Sequence, residues 1–343
     1  MRALARCPVI QAPMGGGPST PELAAAVSNA GGLGFLAAGY QTADAMLAEI
    51  AATKRLTGAP FGVNVFVPSS PDVDVDALER YLARLESDAS SFGINIGPSE
   101  WTDDHWEAKL AGLLRDPVAV VSFAFGCPSR DIVGELQRVG SVVMVTVTAP
   151  RDTEIAVECG VDAVCVQGIE AGAHRGGFTD DEHIDSYGLL TLLGAVRAMT
   201  DLPIVAAGGI MDGRDLAAVL VAGAEAAQLG TAFLLSPESG AHATYKAALA
   251  DPAFTTTAIT RAFSGRRARG LVNQFMIDHP SAPSAYPQIN SATRPLRAEA
   301  ARRGDPHRMS LWAGQGFPRA EPRPAGEIVE RIVAGSRAAL AAR

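Results

Sequence analysis

The sequence predicts an α/β protein, a TIM (β/α)8 barrel, and three observations carry that prediction. Eight short runs rich in valine, isoleucine and alanine recur along the first two-thirds of the 343 residues. Alanine-rich segments with helical signals separate them, and such alternation implies βα units around a parallel sheet. The runs are nearly continuous in apolar residues rather than alternating, as strands covered on both faces must be.

In chain order the candidate strands are PVIQAP (8–13), GLGFLA (32–37), FGVNVFV (61–67), VAVVSF (118–123), VVMVTV (142–147), DAVCVQ (162–167), PIVAAG (203–208) and AAQLGT (226–231). Between the first two, TPELAAAVSNAGG reads as a helix, with Thr20 to cap its start, Pro21 in its first turn and glycine after its end. TAPRDTEIAVECG and DGRDLAAVLVAG repeat that punctuation. Residues 68–116 break the rhythm and read as two helices joined by a loop, inserted after the third strand. Residues 241–321 mix helix-like pieces with a proline-rich stretch, PSAPSAYPQ, and a basic run, RPLRAEAARR. GEIVERIVAGSRAALAAR, at the end, is an amphipathic helix able to return to the barrel. The expected organisation is a barrel over 1–240, a smaller unit over 241–321 and a returning helix over 322–343.

Composition narrows the function. Hydrophobic residues make up 48% and charged residues 19%, as in a globular protein. A formal charge of -8 argues against non-specific nucleic-acid binding, which needs a basic face. Cys7, Cys127, Cys159 and Cys165 show no CxxC spacing, so neither a disulfide framework nor a metal site is expected. The apolar stretch 216–235 is interrupted by Glu225, Gln228 and glycines, which argues against a membrane span. MRALARCPVIQAP holds no apolar run of signal-peptide length, so a cytoplasmic location is expected, as a monomer or homodimer.

Barrel enzymes place their chemistry at the C-terminal ends of the strands. Here those ends read QAPMGGG, SFAFG, QGIEAGAHRGGF, AAGGI and QLGTAF, with Asn64 inside the third strand. Such a rim of glycine, amide and hydroxyl groups suits a neutral, planar, hydrogen-bonding ligand better than a metal. AAGGI and QLGTAF, at strands seven and eight, offer backbone N–H groups near helix starts, where barrels commonly bind phosphate. No GxGxxG follows a strand in a dinucleotide-binding context and no phosphate-binding GxxxxGK[ST] loop occurs, so a barrel-bound phosphate cofactor, above all a flavin, is favoured.

PVIQAPMGGG, FGVNVFVP, VVSFAFGCP, DAVCVQGIEAGAHRGGF, PIVAAGGI, AAQLGTAFL, FSGRRARG and SLWAGQG, in this order, resemble the nitronate monooxygenase family over residues 8–316. The barrel motifs are shared with flavin-dependent enoyl-ACP reductases and certain NADH:quinone reductases; FSGRRARG and SLWAGQG resemble the bacterial nitronate monooxygenases more narrowly. The resemblance implies an FMN-containing barrel with a smaller, mainly helical domain covering the flavin. By motif position, Asn64, Ser122, Gln167, Gly172, Gly208, Gly209, Gln228, Leu229, Gly230 and Thr231 would contact FMN, and Ala12, Pro13 and Met14 would line its isoalloxazine. His174 would match the active-site histidine. The family commonly reads EAGGHRG, and Ala173 here replaces the second glycine, at a cost of about 1 kcal/mol if that position needs a positive φ.

The implied chemistry takes an electron from a nitronate such as propionate 3-nitronate to FMN, adds O2 to the resulting radical and releases a carbonyl compound and nitrite. An imidazole near neutral pH can deprotonate a neutral nitroalkane or, as a cation, stabilise the anion. Two alternatives stand beside it: an NAD(P)H-dependent flavin reductase of quinones or enoyl thioesters, and a flavin-binding protein without turnover. Several roles stay open. Glu170 can orient His174 or cap a turn; Arg175 can be a surface residue or a substrate clamp; Ser122 and Phe123 can edge the flavin pocket. Cys127 is expected to be an ordinary apolar residue, and Tyr286 and Trp312 can line the cavity or fill a core. The basic run Arg261–Arg269 can bind a substrate carboxylate, dock an acidic carrier protein or form a solvated face, the last being the default.

Overall fold

A computed structural model describes residues 4–181, 183, 184 and 186–342 of the chain. Eight strands form the barrel: β1 (Val9–Gln11), β2 (Gly34–Ala37), β3 (Phe61–Phe66), β4 (Val120–Ala124), β5 (Val142–Val147), β6 (Ala163–Gln167), β8 (Ile204–Ala207) and β9 (Ala226–Leu229). A two-residue strand, β7 (Ala173–His174), falls between β6 and β8 outside the barrel. The barrel strands pair in parallel in the order β1-β9-β8-β6-β5-β4-β3-β2. A parallel bridge between Ile10 and Leu33 brings the first and last together; Gln11 N–H donates to Leu33 O and Leu33 N–H to Val9 O, both at 3.0 Å.

Both faces of each strand are apolar, but they serve different layers. In β6, Ala163 and Cys165 point into the barrel with Ile10, Phe35, Met144 and Val205, while Val164 and Val166 pack outward against the helices. The helical ring is α1 (Pro21–Asn29), α2 (Ala43–Leu56), then, after an inserted α3 (Val75–Ser91), α4 (Trp106–Arg115), α5 (Arg130–Arg138), α6 (Pro150–Cys159), α7 (Leu189–Arg197) and α8 (Gly213–Val221). The Thr20 side chain accepts from Leu23 N–H and Pro21 is the first residue of α1; α6 ends at Gly160, φ 79.

The two helices of the 68–116 segment separate. Leu110 and Leu113 of α4 pack in the barrel layer, making α4 one of the ring helices. Leu78, Tyr81, Leu85 and Ala89 of α3 pack instead with Phe263, Phe275, Ile289 and Leu296 from the later part of the chain. That later part holds α9 (Ala243–Ala250), β10 (Thr257–Thr260), β11 (Ala268–Leu271), α10 (Gln274–Asp278) and α11 (Gln288–Arg303). β10, β11 and β7 form an antiparallel three-stranded sheet, which the helical reading of 241–321 did not contain. α12 (Ala325–Ala341) lies on α8 and α1, with Ile328, Val329 and Ile332 in the barrel layer. Among the described residues no helix is long and apolar enough to cross a membrane.

Candidate active site

The inside of the barrel changes character at its C-terminal end. Positions that continue the inward-facing rows become Asn64, Ser122, Thr146, Gln167 and Gln228. Asn64 Nδ2 donates to Ser122 Oγ at 2.9 Å and to Ser122 O at 3.1 Å, so buried Ser122 orients Asn64. Gln167 Oε1 accepts from Gly176 N–H (2.9 Å) and an Arg175 guanidinium N–H (3.1 Å), and Nε2 donates to His174 O (3.1 Å). Gln228 differs: its Oε1 is buried with no hydrogen-bond partner. An unsatisfied buried oxygen costs about 1–3 kcal/mol, so this floor is built for a ligand that donates a hydrogen bond. The loop after β1 leans over it, for Ala12 Cβ and Met14 Sδ lie 3.5 and 3.7 Å from where a Gly230 Cβ would sit.

At the ends of β8 and β9 the backbone turns its donors free. Gly208 and Gly209 have φ 119 and 70, and a 3-10 turn starts at Thr231. Among the described residues no protein acceptor meets the N–H groups of Gly208, Gly209, Gly230 or Thr231. Four open amides with helix starts behind them fit a phosphate. The SLWAGQG stretch lies across this edge. Gly314 N–H donates to Thr231 Oγ1 at 3.0 Å and Gln315 N–H to Glu170 O at 3.0 Å. Gly172 is needed here, since a Cβ on it would stand 2.5 Å from the Ala313 and Gly314 backbone. A cavity of about 390 Å³ lined by Glu170, Gly209, Gln315, Gly316 and Arg319 opens beside it.

His174 stands in β7, opposite Ala268. Its Nε2 is 2.9 Å from Ser264 Oγ. Ser264 Oγ also lies 3.0 Å from Arg266 O; with the hydroxyl proton on that carbonyl, the imidazole donates through Nε2 and Nδ1 carries the free lone pair. Phe125, Tyr286 and Trp312 surround the ring at centroid distances of 5.6, 5.7 and 5.7 Å. Burial among them, and then the charges of Arg266 and Arg297, push its pKa down to about 3. This depressed pKa favours the neutral imidazole, so of the two roles open to it the base is favoured over the cation. Ala173, just before it, has φ 62, the positive φ that glycine accommodates.

Neighbours distant in sequence decide the other roles that the sequence left open. Phe123 points outward into the helix layer and does not edge the pocket; Phe125, which the sequence did not single out, does. Glu170 accepts from Leu189 N–H through both oxygens and caps α7. Arg175 is neither a surface residue nor a clamp: it is 1% exposed and donates to Gly168 O and Gln167 O. Cys127 is half-buried, and burial raises its thiol pKa. The basic run is not a solvated face, nor free to dock a carrier protein. Arg266 and Arg269 are buried, the first bonded to Gly177 O and stacked 4.2 Å from the Phe125 ring centroid, the second bonded to Ile169 O. Arg261 is paired with Asp180 at 2.8 Å.

The profile of the nitronate monooxygenase family matches residues 1–335. The chain belongs to the nitronate monooxygenase family. It is accordingly an oxidoreductase, and the family reaction is the flavin-dependent oxidation of nitronates. The nitronate monooxygenase of Pseudomonas aeruginosa is 43% identical to it over 337 residues, covering 95% of each chain. Among solved structures, the nitroalkane oxidase from Streptomyces ansochromogenes is 51% identical with a TM-score of 0.97, over 99% of this chain and 98% of its own. FabK from Thermotoga maritima is 27% identical with a TM-score of 0.75, over 98% of this chain and 95% of its own. The fold is thus shared with FabK at lower identity.

Proposed function

We propose that this protein is an FMN-dependent monooxygenase that oxidises alkyl nitronates with O2 to carbonyl compounds and nitrite, and acts in the cytoplasm. The observation that carries the reading is the set of groups around His174: aromatic walls from Phe125, Tyr286 and Trp312, the Arg266 guanidinium stacked on Phe125, and the charges of Arg266 and Arg297 acting on the imidazole. An anion is welcome there, and a nitronate is an anion whereas its parent nitroalkane is not. Nδ1, with its free lone pair, accepts a hydrogen bond or a proton from substrate, and an anion bound beside the ring raises the pKa of the imidazole again.

FMN supplies an electron acceptor when bound. The orphaned Gln228 Oε1, with Asn64 and Gln167, would accept from the donor groups of its ring, and the open amides of Gly208, Gly209, Gly230 and Thr231 would hold its phosphate. Ala12, Pro13 and Met14 would cover one side and Gly172 would let the covering loop approach, whereas the Leu229 side chain, expected at the cofactor, points outward into the helix layer. The aromatic walls exclude water from the substrate.

The test is anaerobic mixing of the flavin-loaded protein with propionate 3-nitronate and, separately, with NADH or NADPH. Reduction by the nitronate is expected. Rapid reduction by a nucleotide and none by the nitronate would instead support the reductase reading that the likeness to FabK keeps open; reduction by neither would leave a flavin-binding protein. Within the leading reading, His174→Asn should impair use of a neutral nitroalkane more than of its preformed nitronate. Unchanged turnover of both assigns His174 to structure.

A further inference from the structure

A second polar cluster borders the His174 box. Tyr40, beyond β2, holds φ 66, a left-handed conformation that bulky residues adopt rarely. Asp104 and His105 do the same, at φ 58 and 59. The strain converges on one point: Tyr40 N–H donates to Asp104 Oδ1 at 3.0 Å, and Asp104 Oδ2 is in ionic contact with Lys109 Nζ at 2.7 Å. Lys109 is fully buried. Such a pair adds little stability, because the Coulomb attraction largely offsets the desolvation of two charges. Strain and a buried ion pair in one place call for a role beyond holding the fold.

What they present is the Tyr40 ring. It packs edge-on against Phe66 at 5.4 Å, and Phe66 packs on Phe125 at 4.5 Å. Its edge lies 3.6 Å from where a Cβ on Gly15 would sit, in the loop after β1. Its hydroxyl is 3.3 Å from that of Tyr286, whose ring touches His174. Burial keeps both phenols protonated, pushing Tyr40 up to about 12 and raising Tyr286 well above its usual value. Two phenols bonded to each other use one of their two protons, and the other is left to donate.

An independent observation points to an anion at the same place. Asn290 and Arg297 lie seven residues apart on one face of α11, and Arg297 points back toward the helix N-terminus that follows Tyr286. Arg297 uses one guanidinium nitrogen, on Asn290 O (2.7 Å) and Oδ1 (3.0 Å). Its Nε is buried without a hydrogen-bond partner, and no carboxylate pairs with it among the described residues. Its charge acts on both Tyr40 and His174. We propose that Tyr40 is a further substrate-binding residue: the Tyr40–Tyr286 phenol pair, backed by Arg297, receives an anionic oxygen of the nitronate. The buried Asp104–Lys109 pair is the positioning element that holds Tyr40 there. This rests on the nitronate reading above.

The experiment compares wild type, Tyr40→Phe, Lys109→Met and the double variant, using ethyl nitronate, which has no second charged group. Tyr40→Phe keeps the ring and removes the donor. Its KM should rise about tenfold or more, the loss of one hydrogen bond to a charged group, with kcat within about threefold of wild type. FMN affinity, read by flavin fluorescence, should stay within about twofold. Lys109→Met should raise KM in the same direction and add nothing in the Tyr40→Phe background. A Tyr40→Phe KM within twofold of wild type overturns the proposal, as does a parallel loss of FMN affinity, which would make Tyr40 a cofactor residue. Additive effects of the two substitutions overturn the positioning role of the ion pair. Should Lys109→Met not fold, the neutral pair Asp104→Asn/Lys109→Met takes its place. Binding of ethyl nitronate to the oxygen-free holoenzyme, followed by the flavin spectrum, separates a failure of the phenol pair from a failure of the wild type to turn over nitronates.

Discussion

Ala173→Gly tests whether the alanine beside the active-site histidine is strained. Ala173 sits at φ 62, between Gly172, which cannot carry a side chain, and His174. A left-handed conformation costs an L-residue about 1–2 kcal/mol, and glycine avoids it. Glycine also frees the unfolded chain, which takes back about 0.5–1 kcal/mol. The net expectation is a stabilisation of about 0.5–1 kcal/mol, and in a chain this long only about 1–2 °C in Tm. Chemical denaturation of the flavin-free protein, with its midpoint and slope both recorded, is therefore the better assay. Turnover should stay within twofold, because Gln167 Nε2, Ser264 and the pairing with Ala268 still hold His174. A glycine variant with an equal or lower midpoint at unchanged slope refutes the reasoning. It would show that the loop carries no strain at this residue.

Gln228→Leu should separate stability from cofactor binding: removing an unsatisfied buried oxygen raises the stability of the flavin-free protein by about 1 kcal/mol, while FMN affinity falls about tenfold or more. A variant losing both, by melting and by flavin titration, contradicts that assignment. His174 makes a pH prediction. Its folded pKa, about 3, lies below the unfolded value near 6.5. The unfolded chain therefore binds more protons between these values, and the stability due to neutral His174, complete above pH 6.5, is lost as pH falls toward 3. The slope attributable to it is at most about 1.4 kcal/mol per pH unit. His174→Asn should flatten the fall in Tm between pH 6.5 and 4.5; parallel curves for the two proteins speak against a depressed histidine pKa.

The barrel was legible because its signals are local and repeated. Strand runs such as VVMVTV and helix starts such as Thr20-Pro21 depend on neighbours a few residues away, and each of the eight strands lies within a few residues of its expected place. The rim was legible for a related reason, since a glycine-rich end after a buried strand marks where a ligand approaches the backbone. The separation of α3 from α4 was not, because both are amphipathic and only their packing partners differ. Nor was the sheet that joins β7 to β11 and β10, whose strands are short and in which His174 pairs with Ala268, far along the chain and beyond the reach of any local periodicity.

By itself, then, the sequence determined the fold class, the family and the loop that bears His174, since these depend on residue type and order along the chain. Only the tertiary structure decided the state of that histidine. QGIEAGAHRGGF shows a lone imidazole among small residues, but Phe125, Tyr286 and Trp312 come from three distant segments to pack around it, and the desolvation they impose, then the charges of Arg266 and Arg297, lower its pKa. The arginines of RAFSGRRAR likewise read as a solvated run until backbone carbonyls from the β6 loop close around them. Desolvation and Coulomb interactions depend on distance in space, which the order of residues does not contain.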